Sequence, residues 1–337
     1  MKKMKILYLG NKLSIHGINK TTVETLGENL SQSGFTVVSY SSKKNSLLRI
    51  LEMLFGMLKH RDSNYVLIDT YSTSAFWFAF FSSQLARILH LKYIPILHGG
   101  NLPNRLQSNP FLCNLIFKHS YVNVSPSDYL KFHFEKFGIT SVICIHNFIH
   151  LSDYSFYQRQ SFAPNLIWVR AFAEIYNPKM AVDVLNLLQK KYPSATLTMV
   201  GPDKDGSLEI TKEYAKHFNL KVHFTGKLSK SEWTDLAKNH DIFINTTHFD
   251  NTPVSVIEAI ALGLPVVSTN VGGLPFLISH QENGYLVHDA NALEMVQHIE
   301  NIIQFPTQTI EIVHSAKHMI SKMDWKVVEG QWLTLLQ

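Results

Sequence analysis

The chain has 337 residues, of which 45% are hydrophobic and 17% charged, enough apolar material for two ordinary cores and too much for a disordered chain. Its formal net charge of +5 is uneven, because residues 1–61 carry ten Lys or Arg against three Glu and leave about −2 for the remainder. Two cysteines, Cys113 and Cys144, show no metal-ligand spacing, and the seventeen histidines form no H-E-x-x-H cluster, so the composition predicts a reduced intracellular protein with no metal site.

The predicted elements alternate strand and helix. A strand over 5–9 leads through a loop over 10–17 into a helix over 19–33, ended by Gly34. Met1–Lys5 is basic, but the apolar run after it is too short for a signal peptide. Strand 36–40, helix 46–59, strand 65–69, helix 74–89 and strand 92–97 follow. Helix 46–59 is apolar nearly all round except Arg49, Glu52 and Gly56, which predicts burial. Its basic flanks Lys43, Lys44, Lys59 and Arg61 leave peripheral contact with an anionic membrane as the other reading. Residues 75–89 come nearest to a membrane span, but Ser82, Ser83, Gln84 and Arg87 interrupt them, so a buried helix is expected. Elements over 122–124, 127–137 and 142–145 close the first half.

Residues 147–164 break the rhythm and read as a linker. The alternation restarts with elements over 166–169, 178–191, 195–200, 208–218, 222–225 and 229–239, then 242–245, 253–262, 266–269 and 291–304. Apolar strands alternating with helices predict parallel sheets covered on both faces, in two doubly wound Rossmann-like domains facing each other across a cleft.

No G-x-G-x-x-G follows the first strand and no G-x-x-x-x-G-K-[ST] occurs, which speaks against a dinucleotide dehydrogenase and a P-loop NTPase. The most informative stretch runs from Asp250 through Glu258, Gly263-Leu264-Pro265 and Gly272-Gly273. Thr252 is a good N-cap, Pro253 suits the first helical position and Gly263 suits the residue just beyond the end. Amides at Thr252, Val254 and Ser255 would then point out of a helix start that favours phosphate, with Asp250 before it and Glu258 about 1.5 turns inside. Arg170 closes the first strand of the second half and Lys179 stands at the following helix start, two cations suited to a diphosphate. His98 ends a strand beside Gly99 and Gly100, and Gly17 lies in the first loop, where each leaves room for a small polar ligand.

With these residues in view, the chain resembles the retaining glycosyltransferases of the GT-B fold, family 4 (glycosyl transferases group 1), nearly end to end. The carboxylate–seven residues–carboxylate motif with Gly263-Leu-Pro-Val-Val and Gly272-Gly273 carries most of the likeness. Asn283-Gly-Tyr-Leu-Val287, Ser125-Pro-Ser127, His146-Asn-Phe and Met323-Asp-Trp-Lys add to it. The resemblance implies an acceptor-side domain over 1–155, a donor-binding domain over 156–318 and a final helix over 319–337 that returns to the first domain. It implies that Asp250 contacts donor-sugar hydroxyls, Glu258 the ribose, and Arg170 and Lys179 the diphosphate. Amides near Val254 and Ser255 would help at the phosphates, Gly226 and Lys227 would lie near the base, His98 would line the sugar pocket and Gly17 would face donor and acceptor. The chain departs from the family in having Asp250 where Glu is usual, Val169-Arg170 for Gly-Arg, Asn177-Pro-Lys179 for Lys-Gly, and no glycine after His146-Asn-Phe.

The expected reaction is therefore hexosyl transfer, with retention, from a nucleotide diphosphate sugar to a hydroxyl of a glycan or lipid-linked acceptor. UDP or GDP is the expected carrier, cell-envelope polysaccharide the expected product class, and no cofactor, metal or nucleic acid is expected. The expected location is cytoplasmic, at the inner face of the membrane. Two other classes stand beside it: another GT-B enzyme, such as an epimerase or inverting transferase, and an inactive nucleotide-sugar-binding scaffold.

Overall fold

The computed structural model describes residues 3–17 and 20–337. They form two compact units, Met1–Asn147 with Lys326–Gln337, and Phe148–Trp325. The first holds strands β1 (Lys5–Leu9), β2 (Thr36–Tyr40), β3 (Tyr65–Thr70), β4 (Tyr93–Leu97), β5 (Asn123–Ser125) and β6 (Val142–Cys144). Its helices are α1 (Thr22–Gln32), α2 (Ser46–Lys59), α3 (Phe76–Ile88), α4 (Leu102–Ser108), α5 (Pro110–Phe117) and α6 (Asp128–Lys136). The second holds β7 (Asn165–Val169), β8 (Thr196–Val200), β9 (Val222–Gly226), β10 (Ile242–Asn245), β11 (Val266–Thr269) and β12 (Tyr285–Val287). With them run α7 (Pro178–Gln189), α8 (Ser207–His217), α9 (Lys230–Ala237), α10 (Val254–Ala261), α11 (Leu274–Leu277), α12 (Ala292–Gln304) and α13 (Pro306–Ser321). A last helix, α14 (Trp325–Leu336), lies almost wholly in the first unit, where Ser33 Oγ donates to Glu329 at 2.5 Å.

Both sheets are parallel throughout. The first is ordered β2-β1-β3-β4-β5-β6 and the second β12-β11-β10-β7-β8-β9. The chain reverses its direction of travel between β1 and β3 in one, and between β7 and β10 in the other, which is where open sheets of this kind bind ligands. The second sheet is buried on both faces. Leu166 and Trp168 of β7 enter a core with α7 and α12, while Ile167 between them enters the core under α10 and α13. This two-residue alternation of equally apolar faces is why the strand reads as one continuous hydrophobic run.

The segment over 147–164, apart from Asn147, is not a linker but part of the second unit. Ile149 N donates to Met323 O at 3.0 Å and Trp325 N to Ile149 O at 2.9 Å. The buried Arg159 guanidinium donates to His240 O, Gly263 O and Ala237 O at 2.9, 3.0 and 3.1 Å. The first boundary thus falls at Asn147–Phe148, before these long-range bonds rather than after them.

Other differences are local. The first helix starts at Thr22 behind a Thr21/Glu24 capping box, and Asn19, predicted as its start, lies outside the described residues. Strand β12 and helices α4, α5, α11 and α13 go beyond the predicted set, and each of these helices has a proline in its first turn, where a proline starts a helix as readily as it ends one. Helix α2 matches its predicted span, but Leu47, Leu48, Leu51, Phe55 and Leu58 are exposed, against the burial expected. Among the described residues no helix is long and apolar enough to cross a membrane.

Candidate functional site

The switch point of the second sheet is built first from backbone. Arg170 follows β7 and donates its N–H to Val200 O at 3.0 Å. Gly201, at φ +153°, makes this possible, because a Cβ there would collide with the Arg170 carbonyl. The loop after β10 is held by the Gly-Gly pair. Gly273 N donates to Asp250 O at 2.8 Å, and a Cβ on Gly272 or Gly273 would strike the carbonyl of Asp250 or Asn251. Thr246 Oγ1 accepts from Trp168 Nε1 at 3.0 Å and lies 2.9 Å from the carbonyls of Tyr176 and Asn177. These contacts fix the ends of β7 and β10 against each other.

On this frame Arg170 Nη2 pairs with Asp250 Oδ2, and both side chains are about 15% exposed. The guanidinium carbon also stands 4.3 Å from the Tyr176 ring centroid. Burial pulls the Arg170 guanidinium below its ordinary value while Tyr176 works the other way; an arginine keeps its charge regardless. Arg170 Nε and Ser255 Oγ are buried without a hydrogen-bond partner, which is uncommon for polar atoms in a native interior.

Helix α10 begins one residue later than predicted. Pro253, not Thr252, is the N-cap, with φ −70° and ψ 117° and no side-chain capping bond. A proline φ fits either position, so the motif could not settle the register. At the other end Gly263, at φ +79°, does stand just past the helix, where Leu264 N donates to Ala259 O and Gly263 N to Ile260 O, a Schellman arrangement. Val254 is exposed at the helix start, where the first amides have no partner inside the helix.

Glu258 lies deeper and is half-buried. Tyr154 Oη donates to its Oε1 at 2.5 Å, and Lys230 Nζ stands 4.4 Å from the Tyr154 ring centroid. Burial raises the Glu258 carboxyl above the ordinary glutamate range, opposed by the Tyr154 bond and Lys230. Lys179 is at the start of α7 as predicted, but its recorded contact is the Tyr214 ring at 5.6 Å rather than Arg170 or Asp250. It lines a cavity of about 480 Å³ with Asn177, Asp205, Ser207 and His248. Gly226 ends β9 at φ +73°, its carbonyl accepting from Gly201 N, and Lys227 next to it is exposed.

Two predicted residues lie in the first unit. His98 is 8% exposed and its Nε2 is 2.8 Å from Asp69 Oδ1, which also accepts from Tyr8 Oη at 2.9 Å. A carboxylate only accepts, so Nε2 carries a proton and donates to Asp69 Oδ1. Tyr71 stacks on His98 at 5.2 Å. Asp69 Oδ2 is buried without a partner, in room left by Gly10, whose Cβ would collide with it. Gly17 ends a 3-10 turn over Ser14–His16 at φ +79° with open space around it.

Sequence reasoning overlooked Asp69, Tyr8, Tyr154 and Tyr176. An acid ending the apolar strand over 65–70 was the available signal for Asp69; Tyr154 was hidden by the linker reading. It also passed over Cys144-x-His146, which meets Asp128 with ligand atoms within 4.8 Å, the one such group among the described residues. Burial and Asp128 push the Cys144 thiol up to about 12, so it stands protonated at neutral pH.

Residues 159–319 match the family model described as glycosyl transferases group 1. An uncharacterized glycosyltransferase of Haemophilus influenzae is 28% identical over 156 residues, covering 45% of this chain and 43% of that protein. The chain spans less than half the length of the curated relatives it first matches. Anabaena HepE, solved with UDP and glucose, superposes with TM-score 0.76 at 17% identity over 99% of both chains. Sucrose-phosphate synthase of Thermosynechococcus elongatus gives TM-score 0.78 at 12% identity over 99% of this chain and 98% of that one. Likeness at such identity speaks for the fold, and the two six-stranded Rossmann-like units are those of GT-B proteins. The second unit, where that match and the Arg170–Asp250 pair lie, is thus the part of the chain that resembles the glycosyl transferases group 1 family.

Proposed function

We propose that the chain transfers a hexosyl unit from a nucleotide diphosphate sugar, with UDP or GDP as carrier, to a hydroxyl of a glycan or lipid-linked acceptor. The observation that carries this reading is the Arg170–Asp250 pair at the β7/β10 switch point, beside donors without partners at Arg170 Nε and Ser255 Oγ. A cation, spare donors and a helix start suit a diphosphate. The match of residues 159–319 to the glycosyl transferases group 1 model supports the reaction class. HepE, a structural neighbour, has been solved with UDP-glucose.

In the proposed reaction the anomeric configuration is retained. The acceptor oxygen bonds to the anomeric carbon on the face from which the diphosphate departs, the carbon–oxygen bond to the diphosphate breaks, and the acceptor proton passes to the leaving phosphate oxygen. Arg170 and the amides at Val254 and Ser255 stabilise the charge that develops there, and Lys179 supplies a second cation from the start of α7. These charges do the work without a metal. Asp250 orients sugar hydroxyls, Glu258 accepts from the ribose, Gly226 and Lys227 flank the base, and Thr252 and Pro253 shape the helix entry. In the first unit, His98 offers Nδ1 to a sugar hydroxyl and Gly17 leaves room in its loop. Cell-envelope polysaccharide assembly at the inner membrane face is the process this chemistry fits.

The test is a panel of UDP-, GDP- and ADP-sugars assayed for slow hydrolysis and for binding heat. One nucleotide should bind, and its sugar should be released with the starting anomeric configuration. No binding by any member would remove the donor site, and an inverted product would remove the retaining route.

A further inference from the structure

Helix α2 is turned inside out with respect to water. Its inward residues are Arg49, Met53, Gly56 and Met57. Its outward residues are Leu47, Leu48, Leu51, Phe55 and Leu58, between 44% and 71% exposed, and their spacing puts them on one face. The orientation is locked. The Arg49 guanidinium donates to the carbonyls of Lys43 and Lys44 and to Asn11 Oδ1, each at 2.8–2.9 Å. Gly56 lies against Tyr40, where a Cβ would fall 2.7 Å from the ring. The helix is also well started, since Asn45 Oδ1 accepts from Leu47 N and Leu48 N. A water-facing helix would not bury an arginine and expose four leucines and a phenylalanine, so this face has a partner.

Charge identifies it. Lys43 and Lys44 before the helix, and Lys59 and Arg61 at and after its end, are all exposed, and no ion pair is recorded for them among the described residues. The only acid within α2, Glu52, is turned back to accept from Ser42 N at 2.9 Å. Helix α3 packs beside α2 and exposes Trp77 and Phe81. Apolar residues framed by cations with no acid among them suit a bilayer surface of anionic lipid. We propose that α2 lies in the interface of an anionic membrane, leucines and Phe55 in the acyl boundary and the four cations at the headgroups. This rests on the first unit alone and stands whether or not the donor reading does.

The test is co-sedimentation of the full chain with vesicles of phosphatidylcholine alone and of phosphatidylcholine with phosphatidylglycerol. The chain should pellet with the anionic vesicles and be weakened by high salt. The double variant Leu51→Glu/Phe55→Glu should lose about 100-fold or more in partitioning with an unchanged thermal melt, since both positions face solvent. Neutralising Lys43, Lys44, Lys59 and Arg61 to Gln should also cost about 100-fold on anionic vesicles and little on neutral ones. Trp77 is the one exposed tryptophan of five, so its emission should shift to shorter wavelength on binding. Three results would overturn the proposal: no pelleting with anionic vesicles, pelleting indifferent to the double variant, or a dimer in solution that the double variant dissolves.

Discussion

At the β7/β10 switch point, an arginine and an aspartate meet, and Arg170 Nε and Ser255 Oγ, which can donate, lack hydrogen-bond partners, as does the acceptor Asn245 Oδ1. At the β1/β3 switch point, the aspartate is met by a tyrosine and a histidine, and the atom left over, Asp69 Oδ2, is an acceptor. Spare donors around a cation fit an anion, whereas a spare acceptor on a carboxylate fits hydroxyl groups. On the proposed reading, the second unit takes the diphosphate and the first addresses hydroxyls.

That contrast can be broken by single substitutions. Arg170→Ala should have the largest effect, lowering turnover by about 100- to 1,000-fold, the usual scale for removing one preorganised charge-stabilising group. Steady-state kinetics would show it, and a loss under tenfold would mean the cation is not at the leaving group. Gly273→Ala should come next, because its new Cβ must displace the Asn251 carbonyl and with it Asp250. A shift of about 1 Å there is worth roughly 100-fold in turnover, and the thermal midpoint should fall as well. An unchanged midpoint would show that the loop yields without strain.

Glu258→Gln should weaken nucleotide binding about tenfold, the value of one charged hydrogen bond, as read by calorimetry. Burial raises this carboxyl, so the ionised form that accepts from ribose is lost, as pH falls, earlier than for an ordinary glutamate. Affinity should drop with acidification in the native chain and stay flat in the glutamine variant. An ionised, partly desolvated carboxylate costs the fold something at neutral pH, so the variant should melt no lower than the native chain. Asp69→Asn should act least, lowering turnover by roughly tenfold through the orientation of His98 while leaving nucleotide affinity unchanged. A matching loss of nucleotide affinity would erase the distinction between the units.

How far the sequence carried depended on the distance between partners. The Gly263 helix end, the Gly272-Gly273 turn and the strand–helix alternation are local, and they were legible because a Schellman end or a close backbone approach demands glycine wherever it occurs. His98 with Asp69, Glu258 with Tyr154 and Arg159 with His240 are 29, 104 and 81 residues apart, and no periodicity reports such pairs. Helix α2 was misjudged for a related reason. Its pattern gives a helix with much apolar surface, but only the Tyr40–Gly56 contact and the Arg49 bonds decide which face turns inward. Lys179 was placed correctly in the chain and less surely in its role, since the Tyr214 ring beside it lies on α8.

A crystal structure of the chain with its nucleotide diphosphate bound bears most directly on the donor site. Phosphate oxygens should lie within hydrogen-bonding distance of Arg170 Nε and Ser255 Oγ, with the ribose at Glu258. A nucleotide seated elsewhere, with those two atoms still lacking partners, would contradict the assignment.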